Sequence, residues 1–173
     1  MVRSPLAPRK AFRIVAASFS LAFCASLAFA QAASYPFSIV GDVVGVTDGD
    51  TIKVLQGKKQ YKIRLNGIDA PEMSQAYGKK SKEYLASLIF GKKVEVIVRD
   101  TDRYGRFVGD VMIAGKSANA ELVAAGFAWR YTAYSKDENL AVLENAARAK
   151  RLGLWADSSP VPPWEFRHKK RKG

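Results

Sequence analysis

The chain has 173 residues and a formal net charge of +12 at pH 7, with 48% hydrophobic residues and a single cysteine, Cys24. Its first thirty residues carry no acid, so setting them aside leaves all sixteen acids, removes four of the twenty-eight bases, and gives +8 on a remainder that has no cysteine. That remainder excludes thiol catalysis, a disulfide scaffold and a zinc–thiolate centre, and its charge suits a polyanionic partner or plain solubility.

In chain order, Arg3, Arg9, Lys10 and Arg13 form a basic leader, "IVAASFSLAFCASLAFA" follows without a charge, and Ala28-Phe29-Ala30 is a small-x-small cleavage pattern. Residues 1–30 are therefore expected to be a secretory signal peptide, and the protein to be secreted or periplasmic. An uncleaved anchor needs roughly 18 to 20 apolar residues, more than this small-residue, serine-interrupted run supplies. A lipoprotein attachment at Cys24 meets the bulky Phe23 where a small residue is wanted. Residues 31–36 form a short leader.

From Phe37 the pattern is rich in Val, Ile and Thr and breaks at Gly49 and at Gly57-Lys58, which predicts three consecutive antiparallel strands. Ile52, Val54, Tyr61, Ile63 and Leu65 alternate with Lys53, Lys62 and Arg64, so the basic residues share the face opposite the core. Between Ser74 and Phe90 the period becomes helical, with Tyr77, Tyr84, Leu85, Leu88 and Ile89 on one stripe and Gly91 as the stop. Strands resume at "KVEVIVRD" and "FVGDVMIA". A helix over Ser117 to Gly126, a short strand "FAWRY", and a last helix opened by a capping box at Ser135-x-x-Glu138 complete the pattern. Leu140, Leu143 and Ala147 give that helix its apolar face. The absence of regular strand–helix alternation predicts an α+β domain on a small barrel over 37–157. The tail at 158–173 combines three prolines with "RHKKRKG" and is expected to be extended and mobile beyond Phe166.

Several familiar sites fail on spacing or on composition. "GDVMIAGKS" has five residues between its glycines where a phosphate-binding P-loop needs four. Counted from Asp48, the twelfth position of a calcium EF-hand loop is Lys59, not a bidentate Glu. The sole histidine, His168, lies in the basic tail, so histidine triads and histidine–zinc sites have no material.

Three stretches place acids beside arginines where strands end: "DGDT" at 48–51, "RLNGIDAPE" at 64–72 and "DRYGR" at 102–106. Phosphodiester cleavage asks for oxygen ligands to a hard cation, an acceptor for the proton of water, and fixed cations for the charge that develops. Asp50 and Asp69 can bind the cation, Glu72 can orient or deprotonate the water, and Arg64 and Arg106 can clamp the phosphate with planar forks. Pro71 lacks an N–H, so "DAPE" must leave its strand and turn Asp69, the Ala70 carbonyl and Glu72 toward one point. Two readings of Asp48 stand: a ligand acting through water, or a hydrogen bond to the turn backbone.

The order of these stretches resembles the staphylococcal nuclease, or thermonuclease, family over Phe37 to Asp157, including the late "GLW" at 153–155. The resemblance implies an OB-fold five-stranded β-barrel with three helices, and a calcium-dependent nuclease acting on DNA and RNA. Cleavage of the 5′ P–O bond would leave 3′-phosphorylated products. Single-stranded or frayed substrates and a monomeric state are expected. By position, Asp50, Asp69 and the Ala70 backbone oxygen correspond to the Ca²⁺ ligands, Arg64 and Arg106 to the phosphate-binding arginines, and Glu72 to the general base. Arg103 and Tyr104 fall where relatives touch a terminal phosphate. Tyr131 falls where one stacks on a base, although "FAWRYTAY" does not align without a gap and Tyr134 competes for that role. The staphylococcal enzyme has Thr where Ala70 stands, and its segment between Glu72 and Tyr77 is longer. The rival expectation is an OB module that binds nucleic acid without cutting it. A third reading makes the basic tail an anchor to acidic envelope polymers.

Overall fold

The computed structural model describes residues 34–172. The expected signal peptide and Cys24 lie outside the described residues. Strands β1 (Phe37–Val46), β2 (Thr51–Gln56) and β3 (Lys59–Leu65) form the antiparallel meander that the alternation predicts, with Ile39, Val43, Ile52, Val54, Ile63 and Leu65 buried. The two-residue strand β4 (Ile68–Asp69) follows, then helix α1 (Gly78–Ile89). Strands β5 (Lys93–Thr101) and β6 (Phe107–Ile113) make a second hairpin, and β7 (Lys116–Ser117) adds a short edge to β6. Helix α2 (Ala118–Ala124) leads to β8 (Trp129–Arg130), which pairs with β4, and α3 (Glu138–Ala149) and a 3₁₀ turn at Gly153–Ala156 come next.

The sheet runs β3-β2-β1-β5-β6-β7 and closes on itself through a parallel β3–β6 pair. The result is a five-stranded barrel, the OB-type α+β architecture expected. Val94, Val96, Val98 and Val111 fill it together with the meander's apolar face, while Leu85, Ile89, Leu122 and Leu140 cap it from the helices. Each fully buried Val, Leu or Ile contributes about 1.5–3 kcal/mol.

Four expectations need correction. Among the described residues there are four α-helices rather than three, because the tail is not extended: Pro163–Lys172 forms α4. Proline suits the first helical position, where its missing N–H has no intrahelical partner to serve. Pro163, Trp164 and Arg167 are at least partly buried while His168, Lys169 and Lys170 are exposed, so the packing of one face offsets the mutual repulsion of the charges. The cap of α3 is Asp137, whose Oδ1 accepts from the N–H groups of Asn139 and Leu140. Ser135 instead accepts from the Asp137 N–H, so the residue nearest the first turn takes the cap. The first helix begins at Gly78, with Tyr77 in the left-handed region at φ 66°; Tyr77 packs on a second cluster of Trp129, Ala147, Leu154 and Trp155. The strand read in "FAWRY" contracts to Trp129–Arg130, the two residues that find β4 as a partner.

Candidate active site

The β2–β3 hairpin and the closure of the barrel together assemble the acidic and basic stretches. The β2–β3 ladder sets Thr51 opposite Arg64, and the Leu65 N–H donates to the Asp50 carbonyl at 2.8 Å, so Asp50 sits at the end of β3. The parallel β3–β6 pair sets Ile63 beside Phe107, which carries Arg106, one residue earlier, to the same rim. Two glycines allow the close packing around it. A Cβ on Gly49 would stand 2.2 Å from Ser81 Oγ and 2.7 Å from Ala70 Cβ, and one on Gly78 would strike the Glu72 carbonyl oxygen. The turn carrying Asp50 and the start of α1 therefore lie against the Ala70–Glu72 segment with no space for a side chain.

Arg64 is the centre of the cluster. Its guanidinium pairs with Asp50 Oδ2 through Nη1 and with Asp69 Oδ1 through Nη2, at 2.9 Å in the second case, and Nη2 also donates to the Ile68 carbonyl. Asp50 Oδ2 accepts the Ala70 N–H at 3.0 Å and Oδ1 accepts the Thr51 hydroxyl at 3.1 Å. Although Arg64 keeps the strand parity of Lys53 and Lys62, which stay exposed, its side chain is only 16% exposed. Burial pushes the Asp50 carboxyl up, but the Arg64 charge and hydrogen bond, helped by Ala70 and Thr51, hold it below the usual range. Asp69 goes the other way: burial and the charge of Asp50 raise it despite two arginines. Burial opposes the charge on Arg64, yet Asp50 and Asp69 more than reverse that and keep the guanidinium ionised.

Asp48 Oδ1 accepts the Asp50 N–H at 3.1 Å, which is turn chemistry. Its burial, together with the nearby Asp50 charge, lifts its carboxyl to about 6. Arg106 is held by Asp102 through Nε at 2.7 Å and Nη2 at 2.7 Å, and Nη1 reaches Thr51 Oγ1 at 3.5 Å, which links it to the Asp50 side of the cluster. Arg103 and Tyr104 stand on the same β5–β6 turn; the Arg103 guanidinium lies over the Tyr104 ring and donates to its hydroxyl at 2.8 Å. Tyr131 and Tyr134 are in contact, with ring centroids 4.7 Å apart, and Tyr134 is the more exposed.

Sequence reasoning missed one member of the cluster. Arg167, on α4, donates to Asp69 Oδ2 at 2.8 Å, to Asp69 Oδ1 at 3.2 Å and to Glu72 Oε1 at 2.9 Å. It belongs to a charge run, which hides it, and the available signal was the Pro163-Trp164 start with Arg167 three residues on, a helical face rather than a random coil. Asn119 was missed as well. It is buried on α2, where it accepts the Val111 N–H and donates to the Asn66 carbonyl, tying that helix to the barrel rim.

Among the described residues no three Asp, Glu, His or Cys side chains gather closely enough to hold a cation alone. The groups that do converge are the Asp50 and Asp69 carboxylates on one guanidinium, with the Ala70 N–H donating to Asp50 Oδ2. The Arg167 guanidinium stands in as a cation at Asp69 and Glu72. Such a donor set fits a hard divalent ion that keeps waters or substrate oxygens in its remaining positions.

A family model described as staphylococcal nuclease homologue matches residues 62–157. The chain is 49% identical over 133 residues to an uncharacterized endonuclease of Escherichia coli O157:H7, covering 76% of this chain and 87% of that protein. It is 41% identical over 138 residues to a micrococcal nuclease of Shigella flexneri, covering 73% and 79%. With a staphylococcal-like nuclease of Arabidopsis thaliana the identity is 48% over 115 residues, 66% of this chain and 36% of that one. Barrel and relatives agree, and the chain belongs to the staphylococcal nuclease family, a hydrolase of the nuclease class.

Proposed function

We propose that the protein is a calcium-dependent nuclease that hydrolyses DNA and RNA, preferring single-stranded or frayed substrate, at the 5′ P–O bond to leave 3′-phosphorylated ends. The observation that carries this reading is Arg64 bridging Asp50 and Asp69 at the closed rim of the barrel, with Glu72 joined to Asp69 through a second guanidinium. Asp50, Asp69 and the Ala70 carbonyl would hold calcium, which when bound supplies charge neutralisation and an ordered water. Glu72, whose side chain is partly solvent-accessible, takes the proton of the attacking water. Arg64 and Arg106 offer planar forks to the phosphoryl oxygens as charge accumulates, an interaction worth on the order of 3 kcal/mol per donor. Arg103 and Tyr104 receive a terminal phosphate and Tyr131 a base.

The basic composition supports a nucleic-acid substrate, and the leader over residues 1–30 supports export, with the protein acting as a secreted or periplasmic monomer. Among the described residues no helix is long and apolar enough to cross a membrane. The test is hydrolysis of single-stranded DNA with calcium and with chelator. Cleavage that stops in chelator is expected. Cleavage unchanged by chelator refutes the metal role, and binding without cleavage under either condition makes the barrel a binding module.

A further inference from the structure

Three attachments hold α4 across the candidate site. The Gln75 side chain, whose Oε1 accepts the Glu72 N–H, donates through Nε2 to the Val161 carbonyl at 2.6 Å, just before the helix. Trp164 lies flat on Tyr131, with centroids 5.4 Å apart and planes 4° from parallel, and edge-on to Trp129 at 5.6 Å. Arg167 then reaches Asp69 and Glu72.

The Arg167 and Trp164 attachments each block part of the site. Asp69 Oδ2 accepts from Arg167, and Oδ1 is shared between Arg167 and Arg64, so both oxygens of Asp69 already serve guanidinium groups and the Arg167 charge stands where a cation would bind. Glu72 Oε1 is engaged by the same guanidinium. A ring, that of Trp164, already occupies one face of Tyr131, the residue proposed to receive a base. Arg64 and Arg106 come from the barrel itself; Arg167 comes from a helix that contributes nothing to the barrel. Its guanidinium and a divalent cation would compete for the same carboxylate.

We propose that α4 is a cation-gated latch: Arg167 and Trp164 occupy the cation and base positions of the site, and calcium binding requires the helix to leave. This rests on the calcium-nuclease reading above. A protein held shut by this contact binds calcium more weakly than its open form, by the fraction of molecules that are open. Removing several charge-assisted hydrogen bonds is expected to tighten calcium binding roughly tenfold.

The test uses the full chain and calcium alone, without nucleic acid. Calorimetric titration of wild type, Arg167→Ala, Trp164→Ala and Lys169→Ala separates latch from charge, because Lys169→Ala removes an equal charge from the exposed face of the same helix, and Trp164→Ala removes none. Arg167→Ala is expected to lower the calcium Kd about tenfold, Trp164→Ala to lower it several-fold, and Lys169→Ala to stay within about twofold. Hydrogen exchange on wild type needs no variant: amides over residues 163–172 should lose protection when calcium is added. Calcium binding with that protection unchanged, or an Arg167→Ala Kd no different from that of Lys169→Ala, overturns the latch while leaving the nuclease reading standing. Absence of calcium binding in all four chains overturns both.

Discussion

Replacing Glu72 by Gln removes a base while leaving shape and most contacts in place. The Glu72 side chain is 40% exposed, and its recorded partner, Arg167, is 36% exposed. A pair this open to solvent is worth about 0.2–1 kcal/mol after screening. Gln keeps a carbonyl oxygen for the Arg167 donor, and the backbone N–H of residue 72 still donates to Gln75. The fold should therefore lose under about 1 kcal/mol, a shift of a few degrees in Tm. A positioned general base contributes about 10² to 10⁴ in rate, and a hundredfold loss corresponds to about 2.7 kcal/mol of barrel-independent transition-state stabilisation. The assay is steady-state hydrolysis of single-stranded DNA at saturating calcium, beside thermal melts of both proteins. A kcat lowered by two or more orders of magnitude at nearly unchanged Tm is expected. A kcat within threefold of wild type would remove Glu72 from the mechanism, and parallel loss of kcat and Tm would show that the charge matters for folding rather than chemistry.

Two further changes test the scaffold. Asn119→Ala leaves the buried Val111 N–H without its acceptor and the Asn66 carbonyl without its donor; at about 1–3 kcal/mol per orphaned group, the expected cost in urea unfolding is about 3 kcal/mol, and a loss below 1 kcal/mol would contradict the bridging role. Asp48 has a folded pKa of about 6 against an ordinary 3.8. The folded state therefore binds the proton more tightly, and stability falls as pH rises through that window. With chelator present, Asp48→Asn should be the more stable protein at pH 7 by on the order of 1–3 kcal/mol, with the difference fading toward pH 4. Superimposable pH profiles for the two proteins would refute the effect of burial and of the Asp50 charge on this carboxylate.

How much of this was legible in advance differs by residue. The alternation in Ile52, Val54, Tyr61, Ile63 and Leu65 encodes a buried face because a strand's side chains repeat every two residues, whatever surrounds them. Pro71 acts through local backbone geometry, so the turn that gathers Asp69, Ala70 and Glu72 could be argued from the sequence; bringing Asp50 to them took the β2–β3 pairing. The choice of Asp137 over Ser135 as a cap could not, since both residue types serve and only the path of the incoming chain selects one.

The sequence by itself determined the opening three-strand meander, its apolar face, and the set of acids and arginines that makes the rim chemically distinct. Tertiary structure decided which of those groups meet. Parallel closure of β3 on β6 brings Arg106 toward Thr51, and docking of α4 brings Arg167 to Asp69 across 98 residues of sequence. Local periodicity carries no information about such pairs. A basic run scores as solvated chain until a surface exists for it to pack on, and here that surface, formed by Tyr131, Trp129 and two carboxylates, exists only after the barrel and its helices have assembled.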